Sequence, residues 1–133
     1  MSVVPPPTLL DRFRLGGAML KALAGACCLV IIVLSLLPGN ERPHTGFSGN
    51  IEHVVAYAGT AGFVALALRR RPVAVLVIAF SAASAVFEIC QIWIPGRSAG
   101  FDNWFASTLG ALIGISAARY IVLPRLSAWL ARR

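Results

Sequence analysis

Four apolar runs, each about 20 residues long and each closed by proline, glycine or arginine, leave this chain few ways to fold. A helix needs roughly 20 residues to cross about 30 Å of hydrocarbon. The runs fall at about 18–37, 51–68, 73–94 and 102–123. The first stops at Pro38-Gly39-Asn40 and the second at Arg69-Arg70-Arg71. The third begins after Pro72 and stops at Pro95-Gly96, and the fourth stops at Pro124. Proline and glycine stand where a helix should break. Of the 133 residues, 58% are hydrophobic and only 13% are charged, more apolar material than a soluble domain of this size needs. The expectation is an all-α, polytopic membrane protein. A four-transmembrane-helix bundle (18–123) would lie between a cytoplasmic lead (1–17) and a basic tail (124–133).

The charge pattern orients the spans. The net charge of +7 sits mostly in short clusters between the runs: Arg12, Arg14 and Lys21; Arg69 to Arg71; and Arg119, Arg125, Arg132 and Arg133. The 38–50 loop adds only Arg42 to the cations, and the 95–101 loop only Arg97. The positive-inside rule then predicts both termini in the cytoplasm and two loops outside. No basic face carries interleaved aromatics, so nucleic acid is not an expected partner. The lipid bilayer is. No small-x-small site follows the first run near "SLLPGN", which predicts a retained span rather than a cleaved signal. The opening "VVPPPTLL" reads as a disordered or surface-lying lead, and "RLSAWLARR" as an interfacial anchor.

Polar residues inside spans are costly and therefore informative. At 100° per residue, Ser81, Ser84, Glu88 and Gln91 fall within about 80° of arc on the third span. His53, Tyr57 and Thr60 make a similar stripe on the second, and Asn103, Ser107, Gly110 and Gly114 on the fourth. These faces should turn inward. His53, Glu88, Asp102 and Asn103, with Arg97 in the loop above, converge on the extracytoplasmic half. Gly110-x-x-x-Gly114 would let two helices approach closely.

The stretches "EHVVAYAGTAGF" (52–63) and "FEICQIWIPGRSAGFDNWFASTLGALIG" (87–114), together with the four-span layout, resemble the VanZ-like family of small bacterial multi-pass membrane proteins. The resemblance covers roughly residues 30–122. It carries over His53, Tyr57, Glu88, Gln91, Arg97 and Gly110. Where the family often has Asp-Lys before its histidine, this chain has Gly49-Asn50. In the fourth span Asn103, Ser107 and Gly110 stand in the family's Asp, Asn and Gly register, with Asp102 one position early. The resemblance implies an envelope-associated protein of the bacterial cytoplasmic membrane and no particular reaction.

Several chemistries compete for these residues. A membrane-embedded hydrolase would use Glu88 or His53 as a base beside Arg97, but no nucleophile motif, phosphate loop or HExxH is present. His53, Glu88 and Asp102 have metal-ligand chemistry without zinc spacing, so no metal and no cofactor is expected. Cys27, Cys28 and Cys90 read as small hydrophobes. The preferred reading is an outward-facing polar pocket built from His53, Tyr57, Glu88, Gln91, Arg97, Asp102 and Asn103. In it Glu88 pairs with Arg97 or His53, and the ligand is an anionic lipid or lipid-linked envelope precursor. The rival reading is a scaffold subunit whose polar residues only order the bundle.

Overall fold

The computed structural model describes the backbone of residues 9–43 and 45–132, and side chains from residue 17 onward within them. The lead up to residue 8, together with His44 and Arg133, lies outside the described residues. Every regular element is helical: α1 (Leu9–Leu36), α2 (Gly49–Ala67), α3 (Val73–Gln91), α4 (Phe101–Ala117) and α5 (Leu123–Leu130). No strand occurs among the described residues. Three of the helical stretches, Gly17–Leu36, Val73–Gln91 and Phe101–Leu130, are long and apolar enough to cross a membrane. The 19-residue α2 has the length of α3, but Asn50, Glu52 and His53 at its start dilute its hydropathy.

The interior is smaller and more polar than the surface. Among the described residues, the largest fully buried side chains are Ile115, Gln91, Ser84 and Ser107, while Met19, Val55, Ile78 and Val86 are exposed. In water this distribution would be unfavourable; in lipid, small and polar side chains are what draw helices together. Aromatic residues mark both ends. Trp93 and Phe101, 75% and 76% exposed, stand at one end, and Tyr120 and Trp129 at the other; the amphipathic rings of the tryptophans and the tyrosine suit a membrane interface.

Helices α2 and α4 make the closest contact. A Cβ at Gly110 would fall on the Val54 carbonyl, and one at Gly114 on the Ala58 carbonyl. Both pairs are spaced four residues apart, so one row of each helix meets one row of the other with backbone against backbone. Ala61, Ala65, Ala111 and Ile115 extend this seam, joined by Leu76 of α3. The inward faces read from the sequence are the faces seen: Tyr57 and Thr60, Ser84, Glu88 and Gln91, and Ser107, Gly110 and Gly114 are all buried.

The helix boundaries depart from expectation in informative places. The third helix stops at Gln91 and tightens into a turn, with Trp93 N–H donating to Cys90 O at 3.2 Å. The fourth does not stop at Pro124. The chain passes through a π-helical turn, Ala118–Val122, and continues as α5. Proline at that position cannot donate to the carbonyl four residues back and crowds it. A locally widened turn absorbs the misfit without breaking the helix.

The end of the bundle opposite the Pro-Gly loops is held by Arg119. Its guanidinium donates to Leu68 O at 2.8 Å, to Arg71 O at 2.7 Å and to Arg69 O. These carbonyls lie at and just beyond the C-terminus of α2, where a helix leaves acceptors unpaired and a cation is favoured.

Candidate functional site

Two Pro-Gly turns meet at the other end. The Gly39 N–H donates to Pro95 O at 3.0 Å. A Cβ on Gly39 would collide with the Gly96 carbonyl, and Gly96 itself sits at φ 72°, a left-handed conformation that favours glycine. The loop between α1 and α2 is thus pinned to the loop between α3 and α4. Beneath this pin lie the polar residues of the sequence reading.

Glu88 and Arg97 serve opposite helix ends. The buried Glu88 carboxylate accepts the Gly100 N–H at 2.9 Å and the Asn103 amide at 3.4 Å. Gly100 is the residue before α4, so the carboxylate lies at the positive end of that helix. Asn103 also donates to Ser98 O at 3.1 Å, which folds the loop onto the helix start. Arg97 donates instead to Ser35 O at 3.3 Å, and the buried Gln91 donates to the same oxygen at 3.0 Å. Ser35 belongs to the last turn of α1, where carbonyls are unpaired and a cation is favoured. The expected pairing of Glu88 with Arg97 or His53 is therefore not formed: the helix termini supply nearer partners to Glu88 and Arg97. Burial lowers the Arg97 guanidinium from its ordinary value, the Arg42 charge adds to that, and Glu88 opposes it.

The remaining expected residues divide between core and cavity. His53 Nδ1 lies 3.0 Å from Ser107 Oγ, which fixes the ring against α4. The Tyr57 hydroxyl is buried among the hydroxyls of Ser84, Ser107 and Ser35, and its ring meets Phe80 edge-on at 6.2 Å. Asp102 accepts from the Asn50 amide at 3.3 Å at the exposed start of α2. Asn50 stands in the segment where the sequence departs from the family pattern, so the departure lies against Asp102.

Two cavities open beside these residues. One, of about 360 Å³, is polar and is lined by Gln91, Arg97, Ser98 and Asn103 among others. The second, of about 530 Å³, is almost entirely apolar and is walled by α1 residues such as Ile31 and Leu34 and α2 residues such as Val55 and Ala56. Arg42, Phe47, Glu52, His53 and Arg97 line both. Both volumes lie in the usual range of small-molecule sites, roughly 300–1,000 Å³. A polar chamber thus adjoins an apolar groove.

Sequence reasoning missed Arg42, Glu52 and Ser35. Glu52 forms an ion pair with Arg42 and accepts the Thr45 hydroxyl, which joins the first loop to the start of α2. The signal for Arg42 was its being a lone cation in a loop otherwise free of them. Glu52 is adjacent to His53, yet it faces the loop because consecutive helix residues diverge by 100°. Ser35 adds its carbonyl, which no side-chain pattern marks, to the hydroxyl it places beside Tyr57.

The architecture is that of an all-helical membrane protein with a polar site at one end of the bundle. The VanZ/LLP1 family model matches residues 19–123. The chain belongs to that family. No curated protein and no solved structure matches it.

Proposed function

We propose that this protein is an envelope-associated binding or accessory protein of the bacterial cytoplasmic membrane. Its Pro-Gly end would face outward and hold the head of an anionic lipid or lipid-linked precursor. In this reading α2 is a fourth crossing, both termini are cytoplasmic, and the three arginine-rich segments stay inside. The length of α2, about 28 Å at 1.5 Å per residue, supports a crossing. Its polar start would lie at the outer interface.

The observation that carries the reading is the junction of the polar chamber with the apolar groove through residues common to both. Arg97 supplies positive charge there. Among the described residues it has no carboxylate within ion-pair distance. The test is to extract the protein in mild detergent and identify co-purifying lipid by mass spectrometry. An anionic species enriched over bulk membrane, and lost from Arg97→Gln at equal folded yield, is expected. Identical lipid profiles in bulk proportion would overturn the reading.

A scaffold role is the second reading, favoured by the internal bonds that occupy Glu88 and Gln91. It predicts that every variant losing function also loses folded yield.

A further inference from the structure

The ion pair between Arg42 and Glu52 is placed oddly for a structural strap. Both residues line the chamber and the groove, and their side chains are only 26% and 16% exposed. Thr45 adds a hydroxyl donor to the same carboxylate. Arg97 lines the same two spaces, and among the described residues its guanidinium makes one hydrogen bond, to a backbone carbonyl, though a guanidinium carries five N–H donors. Two guanidinium groups therefore face one region that contains a single carboxylate already bound to one of them. With Glu52 in place, Arg42, Arg97 and Glu52 together leave one formal positive charge. With Glu52 turned out, there would be two.

We infer that Glu52 acts as an internal counter-ion that keeps the ligand's place on Arg42, and that the ligand is an amphiphile with a phosphate head and an apolar chain. The inference rests on the pocket reading above. The phosphate displaces Glu52, is held between Arg42 and Arg97, and leaves its chain in the α1–α2 groove. Phosphate suits the pair because guanidinium groups bind its oxygens in a fork and can do so from two sides at once. The apolar groove gives no reason to bind a free inorganic anion, so head and chain should both be needed. Glu52 also explains how two half-buried cations coexist around one chamber: one of them is already neutralised. Releasing Glu52 frees Thr45 as well, so ligand entry would loosen the first loop.

The test uses the full chain in a neutral detergent with decyl phosphate as the probe, decanol and inorganic phosphate as comparison arms, and calorimetry as the readout. Folded state is checked for each variant by size-exclusion profile. Decyl phosphate should bind the wild type, with both comparison arms much weaker. Arg42→Gln and Arg97→Gln should each weaken it about tenfold or more, and Glu52→Gln should tighten it by a similar factor. Thr45→Ala leaves every charge in place and should shift affinity in the same direction as Glu52→Gln, by less. This gives a second reading if Glu52→Gln folds poorly. If Glu52→Gln and Thr45→Ala weaken binding while Arg97→Gln also does, Glu52 is a strap; the counter-ion inference fails and the pocket reading survives. Binding of inorganic phosphate as tight as that of decyl phosphate would overturn the amphiphile. No binding of decyl phosphate, or equal binding of decanol with no effect of Arg97→Gln, would overturn the pocket reading itself.

Discussion

The Glu88 carboxylate takes the backbone N–H of Gly100 at 2.9 Å, across a turn of twelve residues and at the threshold of α4. Nine positions along, Arg97 is bound to the far end of α1. Each charge thus complements a helix terminus, and the two are not each other's partner.

Their losses should therefore add. Glu88→Gln keeps an acceptor but removes the charge at the α4 terminus, at a cost of about 1 kcal/mol. Arg97→Gln should cost a similar amount at the α1 terminus. The double variant should match the sum within about 0.5 kcal/mol in thermal melts in detergent. A double variant no worse than the worse single one would show direct coupling.

The α2–α4 seam should tolerate no bulk. Gly114→Ala places a methyl on the Ala58 carbonyl and should cost on the order of 1–3 kcal/mol. Gly110→Leu and Gly114→Leu should abolish folded yield. Ala111→Leu should be damaging too, because Ala111 is fully buried, whereas Leu112→Ala, on the exposed face, should stay within about 0.5 kcal/mol. Fluorescence-detected size exclusion across the series measures this.

Removing Arg119 takes a donor from the exposed carbonyls of Leu68, Arg69 and Arg71 at once, although Leu68 O keeps the Arg71 N–H at 3.0 Å. Arg119→Ala should destabilise the protein by about 1 kcal/mol, since water reaches the freed carbonyls. Arg119→Lys should rescue little, since one ammonium lacks the planar fork that spans several acceptors. Hydrogen exchange at residues 68–72 should rise in both variants, and protection as strong as in the wild type would show the clamp is dispensable.

The topology is testable by thiol labelling after Cys27, Cys28 and Cys90 are replaced. A cysteine at Ser98 should react with an impermeant reagent in intact cells, and one at Arg70 only after lysis. The reverse pattern would invert the protein in the membrane.

The inward faces were legible in the sequence because helix periodicity alone places Ser84, Glu88 and Gln91 together, and Ser107 with Gly110 and Gly114. The partners were not. Glu88 and Arg97 suggest a pair because they are opposite charges close in sequence, but backbone groups at helix ends compete for them and carry no letter code. The meeting of Pro38-Gly39 with Pro95-Gly96 was equally hidden: each reads as a break, and only tertiary structure brings the two turns together. Ala111 lies 100° off the glycine row, yet it is buried, since the α4 surface is covered by α3 as well as α2. Pro124 misled because proline normally ends a helix, and the π turn that spares this one leaves no mark in the residues.

Where Gly110 and Gly114 touch the carbonyls of Val54 and Ala58, the two helices meet without an intervening layer of side chains. Such a joint has no spare volume to trade, so a methyl gained on one helix cannot be offset by a methyl lost on the other. Divergence along this lineage should then be lopsided. Relatives that keep the joint should hold glycine at both positions while Leu112 and Ile113 drift among apolar residues, and a relative carrying a bulky residue at either glycine should have moved its helices apart.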